Sequence, residues 1–283
     1  MNTREQVIAW RAQAPWQDDA QVEQDLFLTR AMVAIFSDEF LSGQVAMRGG
    51  TALHKVHLAP AARCSEDIDL VAVGNRPQEH LRKALHRVLA PLLGNPRQSA
   101  WDTVQLAVRN AARPSRVLRL AFEFTPVLPP RDRRALKVEV DVTERRSFYP
   151  VLALPFGPHA GIADEAVTLR SYDLHEMLAT KLRALLQRDQ GRDLFDLWWA
   201  CTGRDRDAAL PAVDPDRVIA AFRHYLRAEG SSVDAEAFAR ELDRKTRDAG
   251  FRSDMALLLQ ADLPPYDVDE AARVVKGTLR SRL

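Results

Sequence analysis

The run from Asp67 to Val73, Asp-Ile-Asp-Leu-Val-Ala-Val, constrains this chain more than any other stretch. Successive side chains of a strand point to opposite faces, so Asp67 and Asp69 project side by side while Ile68 and Leu70 supply a buried face. Carboxylates held that close repel each other unless a cation lies between them, and Mg²⁺ with oxygen ligands is the usual remedy. Upstream, 45–47 reads as a short strand running into Gly49-Gly50, with Thr51 as the N-cap of a helix over 52–58. A glycine turn that opens into a helix presents free N–H groups and the positive end of a dipole, which suits a phosphate. A Gly-Gly pair alone is most often just a turn. Its weight comes from the aspartates arriving 17 residues after Gly50, with Arg63 and Ser65 between them as a cation and a hydroxyl for the phosphates. The stretch from Met47 to Val73 is therefore expected to form a metal–nucleotide site.

Helices are expected over 4–12, 18–41 and 78–93, where apolar residues recur at helical intervals. Strands are expected over 103–108, 116–125 and 135–143, the last two joined as an antiparallel pair through Pro129-Pro130. In the last of them Val138, Val140 and Val142 alternate with Lys137, Glu139 and Asp141. Asp141, on the polar face near the strand's far end, is then either a third carboxylate beside Asp67 and Asp69 or a solvated group on an edge strand. Prolines and glycines crowd 150–161, so 151–168 reads as irregular and a domain boundary is placed there. The expected fold class is α+β: a mixed sheet with flanking helices over 1–160, then a helical C-terminal domain over 161–283.

Asp173 and Glu176 have capping-box spacing ahead of a helix carrying Leu174, Leu178, Leu182 and Leu185. Lys181 falls on or beside that apolar face, where a charge either snorkels to water or meets an anion. In the next helix Asp193 and Asp196 share a face, close in sequence to Arg188 and Arg192. Acids at a helix start are common for dipole reasons alone, but here they form a charged cluster with Lys181 beside Phe195, Trp198 and Trp199. Further helices are expected over 214–227, 234–245, 251–260 and 268–279.

The net charge of +1 gives no overall pull toward nucleic acid or membrane, so any such surface must be local. Nine basic residues between Arg113 and Arg146 supply one candidate. Two cysteines, Cys64 and Cys201, suit a reducing cytosol better than a disulfide framework. No apolar run approaches the roughly 20 residues that span a bilayer, and the N-terminus lacks the apolar core of a signal peptide. A cytoplasmic globular protein is expected, with no membrane partner.

Two blocks resemble a known family. Gly49-Gly50-Thr51-Ala52-Leu53, followed by Arg63-x-Ser65-Glu66-Asp67-Ile68-Asp69-Leu70, is similar to the signature of the nucleotidyltransferase superfamily that includes DNA polymerase beta. In that pattern a Gly-Gly or Gly-Ser turn precedes a D-x-D strand, and a later strand adds a third acid. The run from Lys181 to Asp196, K-L-R-A-L-L-Q-R-D-Q-G-R-D-L-F-D, resembles the K…R…RDxxD motif of AbiEii-type toxins. Those are the nucleotidyltransferase halves of type IV toxin–antitoxin pairs, with mycobacterial MenT-type enzymes as relatives. The likeness runs from about Asp25 to Trp199, with the blocks in the family's order. One departure is that many superfamily members have Gly-Ser where this chain has Gly49-Gly50, a hydroxyl that Thr51 would have to replace.

The resemblance implies an enzyme that transfers a nucleoside monophosphate from a nucleoside triphosphate to an acceptor hydroxyl and expels pyrophosphate. Asp67, Asp69 and Asp141 would hold Mg²⁺ or Mn²⁺, with Asp141 completing a second metal site or acting as base. Gly49, Gly50, Thr51, Arg63 and Ser65 would hold phosphates, together with Arg188 and Arg192. Lys181 would neutralise phosphate charge, with Asp193 and Asp196 orienting the cations around it. The implied acceptor is RNA, above all the tRNA 3′ end, whose modification would block translation. The implied partner is a separately encoded antitoxin. Two other readings compete: an antibiotic-type transferase acting on a small molecule, for which a strongly acidic pocket would speak, and a GTP-binding module without turnover. A metal-dependent nuclease fits the Gly-Gly cradle poorly.

Overall fold

The structure is a computed structural model that describes residues 2–14, 16–108, 111–129, 131–159, 161–260, 263 and 265–283; of 103–108 and 111–115 it describes the backbone. Its strands are β1 (Val45–Arg48), β2 (Asp67–Ala72), β3 (Gln98–Val108), β4 (Ala111–Phe124), β5 (Arg134–Asp141), β6 (Leu152–Phe156) and β7 (Val167–Ser171). Among the described residues these form one mixed sheet in the order β3-β4-β5-β2-β1-β7-β6. β2 lies at its centre, antiparallel to β1 and parallel to β5. Ile68, Leu70 and Val71 of β2 are buried, as are Val138 and Val140 of β5. Full burial of such a side chain contributes about 1.5–3 kcal/mol, so a one-residue slip of β2 would carry both aspartates into the core at large cost. The apolar alternation is what holds Asp67 and Asp69 on the open face.

The first helices brace the sheet: α1 (Arg4–Trp10), α2 (Asp19–Ser37), α3 (Glu39–Gln44), α4 (Gly49–Ala52, continued by a π-helical turn Leu53–His57) and α5 (Gln78–Leu93). The expected helix over 18–41 is divided because Asp38 takes an extended conformation and caps α3 through the Leu41 N–H. After β7 come α6 (Leu174–Gln187), α7 (Gly191–Cys201), α8 (Gly203–Arg206), α9 (Pro215–Ala228), α10 (Ala235–Lys245), α11 (Ala249–Ser253) and α12 (Val268–Leu279). One apolar cluster runs from Phe27 through the sheet to Leu279, so sheet and later helices share a core. No helix among the described residues is long and apolar enough to cross a membrane.

Three local expectations are corrected. The stretch 151–168, read as irregular, contributes β6 and the start of β7, and the boundary at 160 falls between two strands of one sheet. β6 is an edge strand, which is where a strand proline such as Pro155 is tolerated. Helix 251–260 shrinks to α11. Asp173 does cap α6, through the His175 N–H at 2.8 Å, but Glu176 makes no capping box. Its carboxylate instead accepts the N–H groups of Phe148 and Tyr149 and the Tyr225 hydroxyl, fastening the β5–β6 connection to α6 and α9.

Candidate active site

The sheet register builds an acidic floor. Asp67 stands beside Lys137 and Asp69 beside Glu139 across β2 and β5; Glu139 in turn faces Arg119 of β4. Paired residues of neighbouring strands share a face, so the charged groups of β2, β5 and β4 crowd one open surface. Arg119 donates to Glu139 at 2.9 Å and to Asp102 at 3.0 Å. The Lys137 ammonium lies 4.0 Å from Asp67.

The glycine turn closes one side of this floor. Gly49 has φ +79°, and a methyl group there would overlap the Asp69 carboxylate; one on Gly50 would overlap the Arg63 guanidinium. Glycine is required at Gly49 for both its conformation and its closeness to Asp69. Gly94 has the same φ but nothing within 4 Å of the added carbon, so it separates the two effects. Gly94→Ala should cost only backbone strain, of order 1–3 kcal/mol. Gly49→Ala should in addition displace Asp69 and lower catalytic activity at least about 100-fold, which parallel melting and activity measurements on the two variants would check. Thr51 is buried inside the helical run rather than capping it, and its hydroxyl donates to the Asp67 carbonyl at 2.5 Å. It fixes the strand that carries the aspartates and leaves the absent serine hydroxyl unreplaced.

A roof of paired cations faces the floor. Asp196 is fully buried and accepts from Arg63 at 2.6 and 2.8 Å, with His54 Nε2 at 2.8 Å and the Lys181 ammonium at 2.8 Å. Asp193, also fully buried, takes Lys181 at 3.2 Å and Arg188 at 2.8 and 3.0 Å. Burial pushes the Asp196 carboxyl up, but Arg63 and Lys181 beside it outweigh that and hold it well below the usual carboxylate range. Asp193 is lowered in the same way, Lys181 and Arg188 overcoming its desolvation. Burial lowers His54 despite the neighbouring Asp196, so its ring stays neutral at pH 7 and the network carries three cations over two carboxylates.

Floor and roof enclose a cavity of about 310 Å³. Asp67, Asp69 and Glu139 line it from the sheet, and Lys181, Arg188 and Arg192 from α6, α7 and the turn between them. Gly50, Thr51, Arg63 and Ser65 complete the wall, so the structure gathers most of the residues singled out in the sequence. Gly49 adjoins Asp69 directly, whereas Asp193 and Asp196 stand behind the wall and hold its cations. Asp141 is the exception. It pairs with Val71, one turn of the pleat beyond Asp69, and is buried. There it accepts from Arg48 at 3.0 Å and from the N–H groups of Thr143 and Glu144 at 2.7 and 3.1 Å. The acid that register brings opposite Asp69 is Glu139. Alternation had placed both on the polar face; only the pairing of β2 with β5 distinguishes them. Gln190 lines the cavity without having been singled out, Arg119 lines it although the sequence offered it only within the basic run, and His54 was missed beneath it. The helical spacing of His54 from the Gly-Gly turn was its only signal.

The model of the nucleotidyl transferase AbiEii toxin family, type IV toxin–antitoxin system, matches residues 30–274. The chain belongs to that family. No curated protein matches it. Among solved structures it is similar to MenT4, a nucleotidyltransferase toxin from Mycobacterium tuberculosis H37Rv, with TM-score 0.58 and 15% identity over 100% of this chain and 91% of that one. At this identity the likeness is one of fold: a seven-stranded mixed sheet with flanking helices. Family membership makes the chain a nucleotidyltransferase toxin, with a nucleoside triphosphate as substrate, a divalent metal and an antitoxin as partner.

The floor of this AbiEii-family chain fits a divalent cation. Asp67 Oδ1 is a buried oxygen without a hydrogen-bond partner, with the Lys137 ammonium 4.0 Å away. Among the described residues no three His, Cys, Asp or Glu side chains close a metal site by themselves. Mg²⁺ characteristically takes one or two carboxylates and completes its shell with water and substrate phosphate, so a floor that is open on one side suits it. Burial, outweighing the pull of Lys137, pushes the Asp67 carboxyl up to about 6. A cation must displace that proton, so metal affinity should rise with pH up to about 6 and then level off. Titrating Mn²⁺ binding by its effect on water proton relaxation between pH 5 and 8 checks the sign.

Proposed function

We propose that this cleft is the catalytic site of an Mg²⁺-dependent toxin that transfers a nucleoside monophosphate to the 3′-terminal hydroxyl of an RNA, above all a tRNA, and so blocks translation. One observation carries the reading: an acidic floor with an unsatisfied oxygen faces a roof of cations across a single cavity. A triphosphate needs both halves, cations for its leaving end and carboxylates for the metal at the α-phosphate. Bound there, the metal would polarise the phosphoryl oxygens and lower the pKa of the attacking hydroxyl. Asp67 and Asp69 would hold it. Glu139, across from Asp69, would complete the site or take the hydroxyl proton, the part first given to Asp141. Lys181 and Arg188 would neutralise the departing diphosphate, held in place by Asp193 and Asp196. The backbone of Gly49 and Gly50 would receive phosphate oxygens, with Arg192 and Ser65 at the cleft's edge.

Glu139→Gln should therefore lower transfer roughly 100-fold with little change in stability. Asp141→Asn should do the reverse, loosening Arg48 and leaving the chemistry within a few-fold. Rates and urea midpoints for the pair decide between the two acids.

The RNA acceptor rests on the toxin character of the family and on the cations about the cleft. The basic run from Arg113 to Arg146 supports it less than the sequence suggests, because much of it is internally paired. Arg119 meets Asp102 and Glu139, Arg133 meets Glu123, and Arg134 meets Asp18. Arg113 lies outside the residues whose side chains are described. An antibiotic acceptor is disfavoured by the cationic rim of Arg119, Arg188 and Arg192. Incubation with total cellular RNA or with an aminoglycoside panel, Mg²⁺ and each α-labelled triphosphate tests the choice. Label in a tRNA-sized band supports the proposal, and label only in the antibiotics rejects it.

A further inference from the structure

A second cavity, of about 360 Å³, adjoins the catalytic cleft between α2, the start of β5, α7 and the turn after α11. The two share Glu66 and Arg192, which face each other at 3.6 Å. Glu66 directly precedes Asp67, so this second space opens one residue away from the proposed metal site. Arg192 is anchored on both sides of the partition. Its N–H donates to Asp254 at 2.9 Å in the second cavity, and its guanidinium donates to Gln190 at 3.1 Å in the first. The Arg192 and Glu66 side chains are 29% and 47% exposed, and an exposed pair at that separation holds by no more than about 1 kcal/mol. It can part.

The lining of the second cavity differs from that of the cleft. Gln17, Gln21 and Ser253 are uncharged polar groups, and Leu257 and Leu258 give an apolar flank. Leu257 is 74% exposed, an unusual place for a large aliphatic side chain. Gln21 of α2 and Gln17, just before that helix, donate to the Leu257 and Leu259 carbonyls at 2.6 and 3.1 Å and fix the turn that carries this flank. The charges are matched locally: Arg134 is paired with Asp18, and Arg192 with Glu66. Asp254 leaves the whole one charge negative. Such a surface offers a triphosphate or a run of phosphates no net positive charge and suits an uncharged group with polar edges.

We propose that this second cavity is the acceptor subsite, which takes the uncharged terminal nucleoside bearing the attacking hydroxyl, with the Arg192–Glu66 pair as the partition that opens to admit it. The inference rests on the nucleotidyl-transfer reading, since only a two-substrate reaction needs a second entrance. In-line displacement places nucleophile and leaving group on opposite sides of the α-phosphate. Lys181 and Arg188 would take the leaving side, and the second cavity opens at Glu66, the residue before Asp67. The acceptor oxygen forms a bond to the α-phosphorus as the bond to the bridging oxygen breaks. Its proton passes to a floor carboxylate, and pyrophosphate leaves with the electron pair.

The test uses Ser253→Trp, which fills the cavity, and Leu257→Arg, which removes its apolar flank; both positions are exposed, so the fold should hold. Calorimetry with adenosine as the nucleoside probe should show binding to the wild type, weakened at least about tenfold in each variant. Labelling of total RNA at limiting RNA should fall by a similar factor, while binding of a non-hydrolysable triphosphate stays within about twofold. Adenosine binding that the variants lose, in a wild type that labels no RNA, would sink the transfer reading and with it the acceptor role, leaving only a nucleoside-binding cavity. The subsite is overturned if the wild type binds no adenosine, if RNA labelling in both variants matches the wild type, or if triphosphate binding weakens in step.

Discussion

Asp69→Ala should reduce nucleotidyl transfer at least about 1,000-fold, because the change removes one of the two carboxylates proposed to hold the metal. The substitution is also a clean one for the fold. Asp69 contributes to raising the Asp67 carboxyl, after burial and against Lys137, so its removal relieves repulsion inside the floor. The melting temperature should hold or rise slightly, and the Asp67 carboxyl should titrate lower. Growth inhibition on expression should disappear with the activity. A well-folded Asp69→Ala protein that still arrests growth would mean that the toxicity arises elsewhere.

Asp196→Ala should have the largest effect on stability. The carboxylate is fully buried and serves Arg63, Lys181 and His54 at once. Removing one partner of a buried ionic group leaves charge uncompensated and costs about 3–5 kcal/mol, against a total of about 5–15 kcal/mol for a typical fold. The variant should unfold at much lower urea concentration and accumulate poorly as soluble protein. Lys181→Met offers the contrast: Asp196 keeps Arg63 and Asp193 keeps Arg188, so stability should suffer less while transfer falls sharply. Because Arg63 and Lys181 hold Asp196 well below the usual carboxylate range, its contribution to stability is present above the unfolded pKa. That contribution should persist through mild acidity and be lost only as pH falls through the lowered folded value.

The parts of the site that depend on local pattern were legible in the sequence. Alternation placed Asp67 and Asp69 on one face, the Gly-Gly turn marked the position where Asp69 allows only glycine, and helical spacing put Asp193 and Asp196 together. What sequence did not carry was strand pairing. Glu139 and Asp141 differ by one step of a two-residue period, and only the alignment of β2 against β5 puts Glu139 at the floor. Arg63 reads in the sequence as a cation for the phosphates, and only the fold sets it against Asp196, more than a hundred residues away. Three of the arginines that suggested a nucleic-acid surface, Arg119, Arg133 and Arg134, are paired with Glu139, Glu123 and Asp18 from other parts of the chain. β6 was hidden by Pro155, which an edge strand tolerates, and the start of β7 by the prolines and glycines that precede it.

The most direct test of nucleotidyl transfer in this cleft follows the two ends of the triphosphate separately. Purified protein is given Mg²⁺, cellular RNA and a triphosphate labelled either at the α- or at the γ-phosphate. The α-label should appear in RNA and the γ-label should be released in pyrophosphate, and neither should occur with Asp69→Ala. Label from the γ-phosphate in the acceptor, or α-label incorporation undiminished in Asp69→Ala, would contradict nucleotidyl transfer in this cleft.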